Sequence, residues 1–164
     1  AARPGMRPTP SQTVGPFFSI GLCARPLNEL VSPDDAHAVE IAGTVFDGAG
    51  VPVADSIVEI WQPESGWGRY GADGEASFRF VTVRPGATGG QAPHIEVLVF
   101  ARGLLKAVRT RIYFPDEEEA NAADPLLAAL EPVERATLVA VPDGGRLRFD
   151  VHLQGDRQTA FFAL

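Results

Sequence analysis

Hydrophobic and polar positions along the chain alternate with a period of two, in short stretches. In VEIAGTVF, Val39, Ile41, Gly43 and Val45 fall on one side, and Glu40, Ala42, Thr44 and Phe46 on the other. Successive side chains of a strand point to opposite faces, so the pattern predicts a strand. Asp47-Gly48, followed by Gly50, marks a turn directly after it. SIVEIWQ, ASFRFVTV, HIEVLVFA, AVRTRIYF, TLVAV and RLRFDVHL carry the same signal. They are separated by the turn formers Asp73-Gly74, Arg84-Pro85-Gly86, Arg102-Gly103 and Pro142-Asp143-Gly144-Gly145. Many short strands joined by tight turns predict an all-β fold with a β-sandwich core.

Two segments depart from this rhythm. Residues 1–38 contain proline, glycine and little periodicity, which predicts an extended N-terminal arm and loop ahead of a sandwich domain over 39–164. Val14, Phe17, Phe18, Ile20 and Leu22 make the arm too apolar for a solvated tail, so it either packs along its own domain or lies across another chain. The run PDEEEANAADPLLAAL over 115–130 has helix formers but is cut by Pro125, which predicts a short helical insertion of one or two turns. Its acids, Asp116 to Glu119, read either as a binding patch or as a solvated helix start, where negative charge meets the positive end of the dipole.

Composition narrows the function classes. The 164 residues suit one domain, and 45% hydrophobic with 21% charged residues is an ordinary globular balance. A net charge of -7 argues against a nucleic-acid backbone as partner, while leaving room for a small anion beside a local arginine. No apolar run approaches a membrane span, and AARPGMRPTP lacks the apolar core of a secretory leader. Cys23 is the only cysteine, which excludes an intrachain disulfide and a cysteine-based zinc site. Together these features suggest a cytoplasmic location. Phosphate-loop, nucleophile-elbow, zinc-helix and dinucleotide signatures are all missing from the sequence.

Three places carry candidate chemistry. His94 and Glu96 stand two apart on one predicted strand and share a face, either as the beginning of a metal site or as a hydrogen-bonded structural pair. His37 and His152 have no evident spacing relation to them. Tyr70, in Trp67-Gly68-Arg69-Tyr70-Gly71, offers a phenol that can ligate ferric iron, or an aromatic packed around a glycine-rich turn. Arg102 follows the apolar run VLVFA and precedes Gly103. It presents its planar fork to a carboxylate, or pairs with one of the many surface acids.

The segments TPSQTVGPFFSIGL, GTVFDGAGVPVADSIVEIWQ, GWGRY, FVTVRPG, APHIEVLVFARG, TRIYFPDEEEANAADPLLAAL and RFDVHLQGDRQTAFF, in this order, cover nearly the whole chain. They resemble the intradiol ring-cleavage dioxygenases, and within them the enzymes built from two related chains, α and β. The resemblance implies a β-sandwich in each chain and ferric iron, Fe(III), held by the β chain through two tyrosines and two histidines. His94 matches the first histidine ligand, Glu96 replaces the second, and Gln91 stands where the catalytic chain carries an arginine. The insertion that bears the first tyrosine ligand is missing between Gln62 and Trp67. No tyrosine lies between Tyr70 and His94 to serve as the second.

The pattern is therefore α-like, and it implies vestigial ligand positions at His94 and Glu96 and no metal in this chain. By the same resemblance, Thr13, Gly15, Pro16 and Arg102 line a substrate cavity shared with a catalytic β chain. The implied assembly is a higher hetero-oligomer of α–β protomers that takes a small aromatic carboxylate, protocatechuate, and O2 to 3-carboxy-cis,cis-muconate. Two other readings stay open at this point: a self-sufficient metal-dependent oxygenase using Tyr70, His94 and Glu96, and a non-enzymatic sandwich that only binds or supports.

Overall fold

The computed structural model describes residues 9–15, 17–25, 27–72 and 76–163. Two sheets face each other. The first is built from β1 (Ala38–Phe46), β4 (Ser77–Val83), β7 (Val141–Asp143), β8 (Arg146–Arg148) and β9 (Val151–His152), in the order β4-β1-β8-β7 with β9 also on β1. The second comprises β2 (Ile57–Gln62), β3 (Gly66–Gly71), β5 (His94–Phe100) and β6 (Val108–Tyr113), in the order β3-β2-β5-β6. This is the β-sandwich that the alternation predicts.

The core forms where the inward halves of these alternating strands meet. Ile41, Val45, Phe78, Phe80 and Val151 come from the first sheet, Phe149 from the link between β8 and β9, and Val58, Ile60, Ile95, Val97, Val99 and Ile112 from the second; all are buried. Each such side chain stabilises the fold by roughly 1.5–3 kcal/mol when withdrawn from water. Gly43 sits in β1 because a Cβ there would collide with the backbone carbonyl of Phe149. That close approach lets the end of the chain lie against the first strand.

Short helices flank the sandwich: α1 (Phe18–Leu22), α2 (Glu118–Ala123), α3 (Pro125–Ala128) and α4 (Pro132–Ala136). The insertion is cut where Pro125 predicts, since proline lacks the N–H that a continuing helix needs and suits the first position of α3. Asp124 caps α3: its Oδ1 accepts from the amides of Leu126 (2.8 Å) and Leu127 (3.0 Å), while Oδ2 accepts from Ala92 (2.8 Å). One buried carboxylate thus ties the insertion to the entry of β5. The acidic run divides: Asp116 and Glu117 pair with Arg84 at 2.7 and 3.2 Å, and Glu118 and Glu119 occupy the first turn of α2.

Four local expectations need correction. The arm is not extended throughout, because α1 winds over Phe18–Leu22. Trp67–Gly71 is no turn but the body of β3, antiparallel to β2; its glycines hide the period of two. TLVAV is mostly not strand. A capping box between Glu131 and Glu134, with Pro132 at the start, forms α4, and the amides of Thr137 and Leu138 close its end on Glu134 and Arg135. RLRFDVHL is broken into β8 and β9, because the Asp150 side chain accepts the Thr44 amide (3.1 Å) in place of a ladder carbonyl.

Among the described residues, no helix is long and apolar enough to cross a membrane.

Candidate functional site

The register of the second sheet decides which candidates meet. Val58 and Ile60 point into the core, and their β3 partners are Tyr70 and Gly68. Tyr70 therefore faces inward, where its ring meets Phe80 edge-on at 6.4 Å. Ile95 and Val97 also point inward, which turns His94 and Glu96 outward. Tyr70 thus lies on the opposite face of the sheet from His94 and Glu96, and the three do not converge.

Glu96 is already engaged. Arg109 grips it with two bonds, Nε to Oε2 at 2.8 Å and Nη2 to Oε1 at 3.0 Å, and Arg111 Nε donates to Oε1 at 2.7 Å. Arg111 is the register partner of Glu96 across β5 and β6, and Arg109 follows two residues away on the same face. Burial pushes the Glu96 carboxyl upward, but the hydrogen bonds and the guanidinium charges outweigh it and hold the group down at about 2. His94 contributes to this lowering together with the two arginines. Its Nδ1–H donates to the Ala92 carbonyl at 2.8 Å, and its Nε2 stands 3.6 Å from Glu96, beyond hydrogen-bond reach.

A carboxylate whose lone pairs are committed to two arginines does not fit ferric iron, and the imidazole beside it, with Nε2 the one ring nitrogen left to ligate, supplies at most a single ligand. Among the described residues no group of three or more His, Cys, Asp or Glu side chains is placed to hold a metal ion. Beside Glu96 the outer face is an aromatic hollow of about 430 Å³, lined by Glu59, Ile60, Trp61, Trp67, Glu96, Leu98 and Arg109. Arg69 lies over Trp67 at 4.7 Å and pairs with Glu59 at 2.6 Å.

The other candidates gather at the opposite end of β5. The amide of Gly103 donates to Thr13 Oγ1 at 2.7 Å, and the Phe18 ring rests 5.7 Å from that of Phe100. Gly103 has φ +91°, a left-handed conformation that glycine adopts without cost, so the chain turns sharply and leaves Arg102 at its tip. Arg102 is 61% exposed and pairs with Asp55. Gly15 is exposed on the same arm, one bond from α1 through the amide of Phe18 (3.1 Å). Pro16 lies outside the described residues. Eight residues of extended chain separate His94 from Arg102, roughly 26 Å at a strand's rise. The two candidate clusters therefore occupy different ends of the molecule.

Sequence reasoning missed Arg109, Arg111 and Asp55. Arg109 and Arg111 do stand two apart in AVRTRIYF, which signals a shared face; which acid they meet depends on strand register.

Comparison with known proteins decides the family. The chain is 41% identical to the protocatechuate 3,4-dioxygenase alpha chain of Burkholderia cepacia, over 96% of this chain and 98% of that one. The chain belongs to the protocatechuate 3,4-dioxygenase alpha-chain family. The alpha chain from Pseudomonas putida is 35% identical over 94% of this chain and 95% of its own. A beta chain from Burkholderia cepacia is 29% identical, over 69% of this chain and 56% of that one.

Among solved structures, the dioxygenase domain of a dioxygenase–carbohydrate-binding fusion from Streptomyces sp. SirexAA-E is similar, with a TM-score of 0.64 and 26% identity over 91% of this chain and 99% of that one. Catechol 1,2-dioxygenase from Pseudomonas arvilla C-1 shares the fold at TM-score 0.54 and 20% identity, over 77% of this chain and 55% of that one. No family model matches.

Proposed function

We propose that this chain is the non-iron-binding α subunit of a protocatechuate 3,4-dioxygenase, inactive alone, with residues 1–38 acting as an arm. In this reading Thr13, Gly15, Pro16 and Arg102 form part of the active-site wall. A related β chain holds the ferric iron, and the complex cleaves protocatechuate between its hydroxyl-bearing carbons. The supporting observation is the meeting of the arm with the Arg102 turn, through Thr13 and Gly103, at an exposed end far from the engaged Glu96. The chemistry suits the task. A guanidinium fork presented on a turn can take a ring carboxylate through two parallel hydrogen bonds, and such charge-assisted pairs position substrate without altering the reacting atoms.

The test is to co-purify this chain with the neighbouring β-type chain, separate the two, and measure iron in each. Iron is expected with the β chain alone; stoichiometric iron in this chain overturns the assignment. In the assembled complex, Arg102→Ala is expected to raise KM for protocatechuate at least about tenfold, the loss of one charged hydrogen-bonding partner, with bound iron unchanged. An unchanged KM removes Arg102 from the substrate wall.

A further inference from the structure

The ladder between β2 and β5 pairs Ile57 with Phe100. Continued two residues outward, the same register sets Ser56 across from Ala101 and Asp55 across from Arg102. Ser56 and Ala101 are both buried, so the ladder's end is fixed. The Asp55 turn is also closed: the Ser56 amide and hydroxyl both donate to the Val53 carbonyl, at 3.3 and 3.1 Å, and the Ala72 amide donates to the Ser56 carbonyl at 2.8 Å. Asp55 thus offers its carboxylate from a held backbone on a short side chain, 31% exposed, toward a long and mobile arginine, 61% exposed.

The carboxylate meets Arg102 at Nε. A guanidinium carries five N–H donors in one plane, and a contact at Nε occupies one edge while leaving the terminal Nη end open. We infer that Asp55 is a positioning residue that orients Arg102 so that its Nη end faces the carboxylate of the aromatic substrate. The inference rests on the reading of Arg102 as a cavity residue. Asp55 also opposes a second negative charge. That repulsion acts across the width of the guanidinium at a water-exposed end, where screening weakens it more than the direct contact. Orientation wins.

The experiment uses the assembled α–β complex with Asp55→Ala, Asp55→Asn, Arg102→Ala and the Asp55→Ala/Arg102→Ala double variant, assayed on protocatechuate and on catechol, which lacks the carboxylate. Freeing one long side chain predicts a rise in protocatechuate KM of roughly five- to tenfold for Asp55→Ala. kcat is expected to hold, and KM for catechol to stay unchanged. Asp55→Asn should lose less, since its side-chain oxygen still accepts from Nε. Adding Asp55→Ala to Arg102→Ala should cost nothing more, because Asp55 acts only through Arg102. An unchanged or lower KM in Asp55→Ala, beside a raised KM in Arg102→Ala, overturns the positioning role alone. An unchanged KM in Arg102→Ala overturns the cavity reading and this inference with it.

Discussion

Glu96 shows how a charged side chain on a sheet face is accommodated by its surroundings. A lone carboxylate on this face is costly to bury, and Arg109 and Arg111 offset that cost from the next strand. Its depressed pKa has a signed consequence. A carboxyl held at about 2, against an ordinary 4.5, contributes stability that is fully present above about pH 5 and is lost as pH falls toward 2. Each pKa unit is worth about 1.4 kcal/mol, so the lowering corresponds to at most about 3 kcal/mol, reduced by solvent screening of a half-buried group. Urea denaturation between pH 6 and 2.5 is therefore expected to show a steep loss in the natural chain and a shallower one in Glu96→Gln. Parallel slopes would show that the two arginines do not hold the group. The sequence exposes Glu96 and its two-residue spacing from His94, because that is a matter of identity. Its partners, and the Asp55–Arg102 pair, are matters of register between segments, which local alternation does not encode.

The strands with an unbroken apolar alternation were the most legible of the elements. β1, β2, β4, β5 and β6 follow from alternation because each buries one face against the opposite sheet. β3, α4 and the β8–β9 break were hidden for separate reasons: glycines that carry no hydrophobic signal, a capped short helix whose closing turn takes the head of a strand-like sequence, and a side chain that replaces a ladder carbonyl. Asp124 is the element-level tie, with its buried carboxylate accepting three backbone amides from α3 and from the residue two before His94. Asp124→Ala leaves those donors without partners, and a loss of roughly 3 kcal/mol is expected in chemical unfolding. Backbone amide exchange should rise first in 118–128 and around Ala92. A loss under about 0.5 kcal/mol would mean that the insertion is held by apolar contacts alone.

Across the whole molecule, β5 links two unlike ends, one presenting Arg102 beside the arm and the other presenting Glu96 bound to its arginines. The α-chain family and the sandwich were legible from ordered motifs and from turns. The assignment of residues to one end or the other needed the fold. The pairing of β1 adds a consequence for how the chain reaches this state. Its register partners lie at 77–83, close in sequence, but also at 147–148 and 151–152, more than a hundred residues away. Contacts that close such long loops form late and slow the search for the native state. During synthesis the first strand therefore waits with one edge open until the last segment has been made. An open edge of this kind recruits other chains. A chain ending before Arg146 is expected to show no cooperative thermal transition and to aggregate, as followed by calorimetry and light scattering. The protein's most vulnerable moment is its birth.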